Sequence, residues 1–488
     1  DIRDKSEPEV LVKQTLLVAP VLVQEAELLV GGSSLILAAS NHRLMQWTLQ
    51  RSEQGDYRMM SPRDFALTGD AATLITEARR KGLLVLSASN ELSIYHTTGE
   101  TKLITTDSLF EEVDNVALSS RSDSFLTEIS PGEYQLFEID NEHPEITWHG
   151  LWQQVWYEGY SSPDYIWQSS SADDDFEPKF SLVPLTFGTL KAAFYAMLVA
   201  MPIAIMGAIY TAYFMTPSMR NWVKPGIEIM EALPTVILGF LAGLWLAPLL
   251  EEHLVSVFGL VLIVPLSFII TAVAWQLMPP IIRHLVPNGW EAALLMPVTV
   301  LAVLLSFELG PVIESGVFGG NVQLWMQKNL GISYDQRNSL VVGIVMGLAV
   351  IPTIFSITED AVYSVPHHLT EGSLALGATP WQTLTKVVIL TASPGIFSAV
   401  MIGLGRAIGE TMIVLMATGN TPVMDFSVFQ GMRTLSANIA VELPESELGS
   451  SHYRILFLAA LVLFTATFIF NTAAETVRQR LRERYSNL

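Results

Sequence analysis

The sequence predicts two fold classes in one chain: an all-β, propeller-like domain outside the membrane and an α-helical multi-span membrane domain. Three observations predict this. Residues 1–147 hold no apolar run long enough to cross a bilayer, and repeat a strand, a polar turn and a second strand three times. From residue 186 onward, apolar runs of membrane-spanning length follow one another between short polar connections. Half of the 488 residues are hydrophobic and the mean hydropathy is +0.40, high for a chain without spans.

The three copies are explicit. Leu35–Asn41 precedes Leu44–Leu49, Leu83–Asn90 precedes Leu92–Tyr95, and Ser124–Ser130 precedes Tyr134–Phe137. Their spacing is that of propeller blades, whereas unrelated hairpins in a sandwich are the plainer alternative. A propeller closes with at least about four blades, so further blades are expected upstream. The first residue is Asp1 rather than Met, and the expectation is a chain missing its start and an upstream span. No ligand motif stands out in this part.

Residues 148–185 form an aromatic linker at the membrane surface. Trp148, Trp152 and Trp156 recur at helical spacing, and Tyr157, Tyr160, Tyr165 and Trp167 follow. Rings with one wet end favour the headgroup zone, so an interfacial helix is one reading. A stripe packed against the β domain is the other. Asp173-Asp174-Asp175 lacks the glycine and glutamate spacing of a calcium loop and reads as solvated linker.

The membrane domain spans residues 186–475, with candidate spans at about 187–214, 226–250, 255–277, 291–308, 339–357, 393–418 and 453–472. Simple alternation puts Arg220, Lys224, Arg283, His284, Lys386 and the basic tail at 476–488 on one side. That side is cytoplasmic by the positive-inside rule. Glu251, Glu252 and the acidic run 442–447 fall on the other, as does the β domain, which is then periplasmic. The formal charge of −21 argues against a nucleic-acid partner. The absence of cysteine excludes disulfides and thiolate chemistry.

Between two spans lies a polar loop at 358–392. Ser364 and Pro366 signal a helix start, Leu369–Leu376 reads as helix, and Gly377 marks a left-handed stop. Thr379 and Pro380 cap and begin a second helix. Two short helices at an angle suit a groove on another protein.

The next span carries Arg406 near its middle and Glu410 four residues on. A helix continuous through both puts them on one face, a turn apart. An arginine at that depth costs about 2.5–3.5 kcal/mol on insertion scales, which the pairing offsets in part. Either the pair fixes helix packing, or Arg406 offers its planar donor fork to an anion with Glu410 holding it in place. Thr411 adds a hydroxyl. Gly403, Gly405 and Gly409 thin the helix for a close neighbour or ligand. Lys191 is expected to snorkel from its span, and Glu228 and Glu231 to face a polar boundary. Glu359 and Asp360 open the loop and are read as capping, solvated or partner-binding, and Arg433 as lying on the outer side.

The run Glu371-Gly372-Ser373-Leu374-Ala375-Leu376-Gly377-Ala378-Thr379 resembles the EAA loop of ABC importer permeases. With ITEDAVYSVP before it, GLGRAIGETM after it and the later MRTLSANIA, the chain is similar to phosphate-specific permeases of the PstC and PstA type, on the PstC side. Gly372, Ser373 and Leu390 depart from that pattern. The resemblance implies a type I ABC importer permease moving inorganic phosphate. Arg406, Glu410 and Thr411 then lie on the substrate path, and Glu371, Gly372, Ser373, Leu376, Gly377, Ala378 and Thr379 couple to the ATPase. The implied partners are a PstA-like second permease, an ABC ATPase dimer, a periplasmic phosphate-binding protein and the bilayer of the bacterial inner membrane. No GxxxxGK[ST] loop is present, so this chain is expected not to be the enzyme; ATP and Mg belong to the partner ATPase. The family core has six spans, and the pair at 255–308 is an expected insertion. A membrane-anchored sensor and an ion-coupled secondary transporter are the rival functions.

Overall fold

The computed structural model describes residues 12–51, 56–106, 115–171, 176–279 and 295–485. It divides into two compact units, residues 1–184 with 445–457 and residues 185–444 with 458–488.

In the first unit, β1 (Val23–Leu28), β2 (Ser34–Ala39), β3 (Arg43–Arg51) and β4 (Tyr57–Ala66) form an antiparallel meander. A second follows with β5 (Ala71–Thr76), β6 (Gly82–Ser87), β7 (Leu92–His96) and β8 (Thr101–Thr106). The third sheet joins β9 (Asn115–Leu118), β10 (Ser124–Ser130) and β11 (Glu133–Glu138). The three hairpins expected from the sequence are therefore present as β2–β3, β6–β7 and β10–β11, with Leu35 opposite Trp47, Leu83 opposite Tyr95 and Phe125 opposite Phe137. The sheets stack face on face. Leu29, Ile36 and Leu44 of the first pack with Leu83, Val85 and Tyr95 of the second. From the other face of β6 and β7, Leu84, Leu92 and Ile94 pack with Phe125 of the third. This explains why every residue of β6 is buried: alternation disappears where both faces of a strand are covered.

The aromatic segment follows the second of its two readings, a stripe packed into the β-rich unit. Helix α1 (Trp148–Trp152) is one turn, capped by Thr147 and ended at Gln153, so Trp156 lies outside it. Trp156 Nε1 instead donates to the Tyr160 carbonyl at 2.8 Å. Tyr157 and Trp167 are buried, and β12 (Trp167–Gln168) pairs with β13 (Lys179–Phe180) inside the unit. The segment is part of the β-rich body rather than a linker with an interfacial helix. Asp173-Asp174-Asp175 lies outside the described residues.

The second unit is helical, and among the described residues seven helices are long and apolar enough to cross a membrane. They run Val183–Phe214, Thr235–Glu252, Leu254–Leu277, Leu295–Val317, Ser339–Tyr363, Pro380–Gly409 and Ser451–Arg480, each overlapping one expected span. The elements are α2 (Val183–Ile209), α3 (Pro217–Glu231), α4 (Thr235–Leu241), α5 (Ala247–Glu252), α6 (Leu254–Leu277), α7 (Leu295–Val317), α8 (Val322–Leu330), α9 (Ser339–Tyr363), α10 (His367–Ala375), α11 (Pro380–Thr383), α12 (Ile389–Gly409), α13 (Met412–Ala417), α14 (Leu435–Glu442) and α15 (Ser451–Tyr485).

Helix α9 is the centre. Its residues Val342, Met346, Val350 and Ile354 join an alanine stripe on α2 (Ala192, Ala196, Ala200, Ala204) in one core. Small residues set these approaches, as membrane helices require in the absence of a hydrophobic drive between them. A Cβ at Gly347 would meet Val199 at 3.1 Å, and one at Gly403 of α12 would overlap Ile354 at 2.6 Å. The expected extra pair, α6 and α7, packs together through Ser256 and Ser306, whose hydroxyl donates to the Ser256 carbonyl at 2.6 Å. Lys191 does not snorkel: it is buried on α2, and its Nζ has no hydrogen-bond partner among the described residues.

Candidate functional site

The loop after α9 is built by its punctuation. Ser364 ends α9, its hydroxyl donating back to the Ala361 carbonyl at 3.0 Å, so it is not the start signal expected; Pro366 holds the cap position of α10. Gly377 has φ +89°, where a side chain would be strained, and turns the chain out of α10. Thr379 caps α11 in a reciprocal box with Gln382, and Pro380 is at its first position. The Ser373 and Thr383 hydroxyls meet at 2.9 Å and fix the angle between the two helices. Ser373 thus has a structural job in a place where the loop pattern departs from the resemblance. No residue of α10 is buried; Glu371 and Gly372 are exposed and Leu376 is 92% exposed. A leucine at the tip of this bend is thus left in solvent. Ala378 is half-buried at the turn.

The base of the loop is an ion cluster. Glu359 on α9 is completely buried. Arg220 Nε donates to its Oε1 at 2.5 Å, and Lys224 Nζ lies 2.8 Å from its Oε2 and 2.6 Å from Asp360 Oδ1. The Arg220 guanidinium also stacks 3.6 Å above the Tyr363 ring. Glu359 is thus committed to α3 rather than solvated, while Asp360 pairs with Lys224 and stays exposed. A buried carboxylate held by two cations stabilises the junction of α3 and α9, because breaking such a pair leaves a charge without a counter-ion.

Helix α3 links this cluster to Arg406. Roughly 16 Å farther along α3, at 1.5 Å per residue, stands Glu231. Arg406 Nη1 donates to Glu231 Oε1 at 2.9 Å and to Thr353 Oγ1 at 2.5 Å, while Thr353 donates to the same carboxylate at 2.9 Å. The Arg406–Glu410 pair expected from the sequence does not form. Helix α12 ends at Gly409, Glu410 is extended (ψ 128°), and its Oε1 accepts from the Met412 and Ile413 amides at 3.2 and 3.4 Å. Glu410 therefore caps α13, and the i,i+4 geometry is lost at the break. Thr411 opens α13, and among the described residues its hydroxyl donates to the Gly409 carbonyl alone, at 3.3 Å. Glu231 and Thr353 had not been joined to Arg406 from sequence. An acidic residue at the rim of an apolar span was the available signal, since a membrane arginine needs a counter-ion. Arg433, expected on the outer side, is paired with Glu442 at 2.7 Å.

Residues 288–483 match the family model of the binding-protein-dependent transport system inner membrane component. That stretch holds the bent loop and Arg406. This stretch is similar to the membrane subunits of binding-protein-dependent importers. A probable ABC transporter permease, YqgH of Bacillus subtilis, is 28% identical over 316 residues, 64% of this chain and 76% of that one. The phosphate transport permease PstC of Mesorhizobium japonicum is 26% identical over 335 residues, 69% and 83% of the two chains. PstC 1 of Mycobacterium bovis is 25% identical over 305 residues, 62% and 73%. The matched family is described as an inner membrane component of binding-protein-dependent transport systems.

Proposed function

We propose that the chain is the PstC-like half of an ATP-driven importer of inorganic phosphate, paired with a PstA-like permease and an ABC ATPase dimer. One observation carries the reading: a half-exposed arginine at membrane depth whose counter-ion, Glu231, is itself half-exposed. Such a pair is weak and exchangeable, unlike a buried one. Arginine offers a planar fork to a phosphate oxygen pair, and Thr353 holds that fork in place. The similarity to permeases named for phosphate transport supports the choice of oxyanion.

Coupling follows from α3. ATP closes the ATPase dimer against the exposed helix that carries Glu371, Gly372 and Leu376. The motion reaches α3 through Arg220 and Lys224, and α3 moves Glu231 relative to Arg406. Glu410 and Thr411 shape the break at which α12 hands over to α13, beside the path. ATP and Mg are used by the partner ATPase.

The N-terminal sheets are the blades of a periplasmic propeller in this reading, supported by the face-on-face stacking of two four-stranded meanders and a third sheet. The test of the substrate is uptake by the complex reconstituted with its partner subunits and binding protein. Phosphate, sulfate and molybdate are supplied in turn. Phosphate accumulation with ATP, and none of the other two, supports the reading; preference for another oxyanion overturns the phosphate assignment.

A further inference from the structure

Arg406 uses part of its donor set on Glu231 and Thr353. Both bonds come from Nη1, and among the described residues Nε and Nη2 make none. The same arginine borders an open cavity of about 460 Å³ between α12 and α15, shared with Asn471, Glu475 and Arg478. Residues 398, 402 and 405 of α12 and residues 471, 475 and 478 of α15 recur at helical spacing, so each set lines one face. Gly405 makes room for the amide: a Cβ there would stand 3.0 Å from Asn471 Oδ1. On the α15 wall, Arg478 Nη2 holds Glu475 Oε1 at 2.8 Å, and Gln479 Nε2 donates to the same oxygen at 3.2 Å.

The cleft therefore holds two arginines, each already carrying a carboxylate, and an amide between them. Arg406 and Asn471 stand within their spans, beside the apolar Met401, Ile402 and Ala474, and polar groups there are tolerated where they face water or a partner rather than lipid tails. Two balanced ion pairs also set the potential near neutral. An anion is then held weakly enough to leave again, as passage requires.

We infer that this cleft is an inner oxyanion station. Arg406, through its unused Nε and Nη2 donors, and Arg478 take a tetrahedral oxyanion of the phosphate class, and the Asn471 amide adds a third donor. Glu231 and Glu475 are the counter-ions that the anion displaces on arrival and that recover their arginines on its departure. The inference rests on the reading of the chain as a phosphate permease subunit and adds Asn471, Glu475 and Arg478 to it. A phospholipid headgroup has the same chemistry, so the experiment separates the two sources.

The experiment is phosphorus NMR line broadening of inorganic phosphate added to the purified complex of permease and ATPase subunits. The sample is in phospholipid-free detergent without the binding protein. The wild type is expected to broaden the line. Arg478→Gln weakens this by roughly tenfold, the effect of one charge-assisted hydrogen bond. Glu475→Gln strengthens it, a gain that a merely structural role for the ion pair would not produce. The variants are on a partly exposed helix surface, and unchanged melting confirms that they fold. Broadening equal to wild type in Arg478→Gln and Glu475→Gln, alongside loss in Arg406→Ala, overturns the inner station and leaves the substrate reading standing. Broadening that disappears when phosphatidylglycerol is added back assigns the cleft to lipid headgroups and overturns it as well. A failure of the substrate reading shows separately, as a wild-type complex that, supplied with its binding protein and ATP, accumulates another oxyanion in preference to phosphate.

Discussion

The two ends of α3 make opposite use of the same chemistry. At one end, Glu359 is fully buried and shared by Arg220 and Lys224. At the other, Glu231 and Arg406 are 44% and 29% exposed, and one donor nitrogen serves two acceptors. The first geometry is a fastening, since desolvated charges cannot part without a penalty of several kcal/mol. The second is an exchange site: water competes for both partners, and the pair is worth on the order of 1 kcal/mol or less. Burial, rather than residue type, separates an anchor from a carrier. One helix holding both would, in the proposed function, turn motion at the bent loop into a change at the arginine.

The largest expected effect breaks the anchor. Arg220→Met leaves Glu359 buried beside Lys224 alone and is expected to cost about 3–5 kcal/mol, read as lost assembly and lower melting of the complex. The double variant Arg220→Met with Glu359→Gln should recover much of that loss. If both variants melt like the wild type, the buried cluster is not the fastening described.

Next is the hinge of the loop. Gly377→Ala forces a side chain into φ +89° and is expected to cost about 1 kcal/mol or more, read as reduced ATP-driven transport at unchanged membrane insertion. Wild-type coupling in that variant would show that the angle between α10 and α11 does not matter. A smaller effect is expected at the exchange site. Glu231→Gln should leave assembly intact and change uptake by roughly fivefold or less, in keeping with a half-exposed pair. A collapse of assembly instead would make it a second anchor and erase the contrast.

The β unit offers a control on burial itself. Burial pushes the Glu177 carboxyl up to about 7 from 4.5, and it holds the His96 imidazole down at about 4 from 6.5. Between pH 4.5 and 7 the folded Glu177 keeps a proton that the unfolded chain has released, so its contribution to stability is lost as pH rises through that window. For His96 the unfolded chain takes up a proton that the folded state refuses, so stability is lost as pH falls from 6.5 to 4. Glu177→Gln is expected to slow amide hydrogen exchange in β6 and β7 at pH 8 and to change it little at pH 5. The same shift at both pH values would contradict the burial account.

Much of this fold was legible in the sequence because hydropathy and turn chemistry are local. Each of the seven apolar helices overlaps an expected run, the β2–β3, β6–β7 and β10–β11 hairpins pair as read, and Gly377 and Thr379 do what their residue types suggest. What failed was continuity and long range. The apolar run through residue 418 hid the break at Gly409, though Gly-Glu-Thr is a stop followed by a cap, and with it the loss of the Arg406–Glu410 turn. The tryptophan spacing suggested a helix that lasts one turn, because Gln153 is already extended and the chain then folds back to pair Val155 with Asp164. Glu231 meets Arg406 across 175 positions of sequence, and no local pattern records such a pairing.

The central claim is that Arg406 belongs to the substrate path rather than to the packing. The most direct measurement is phosphate uptake by reconstituted complexes carrying Arg406→Ala, with subunit assembly and ATP hydrolysis followed in the same preparation. The account predicts that uptake is lost while the complex assembles and hydrolyses ATP. Uptake at the wild-type rate would contradict it and return Arg406 and Glu231 to the role of a helix fastening.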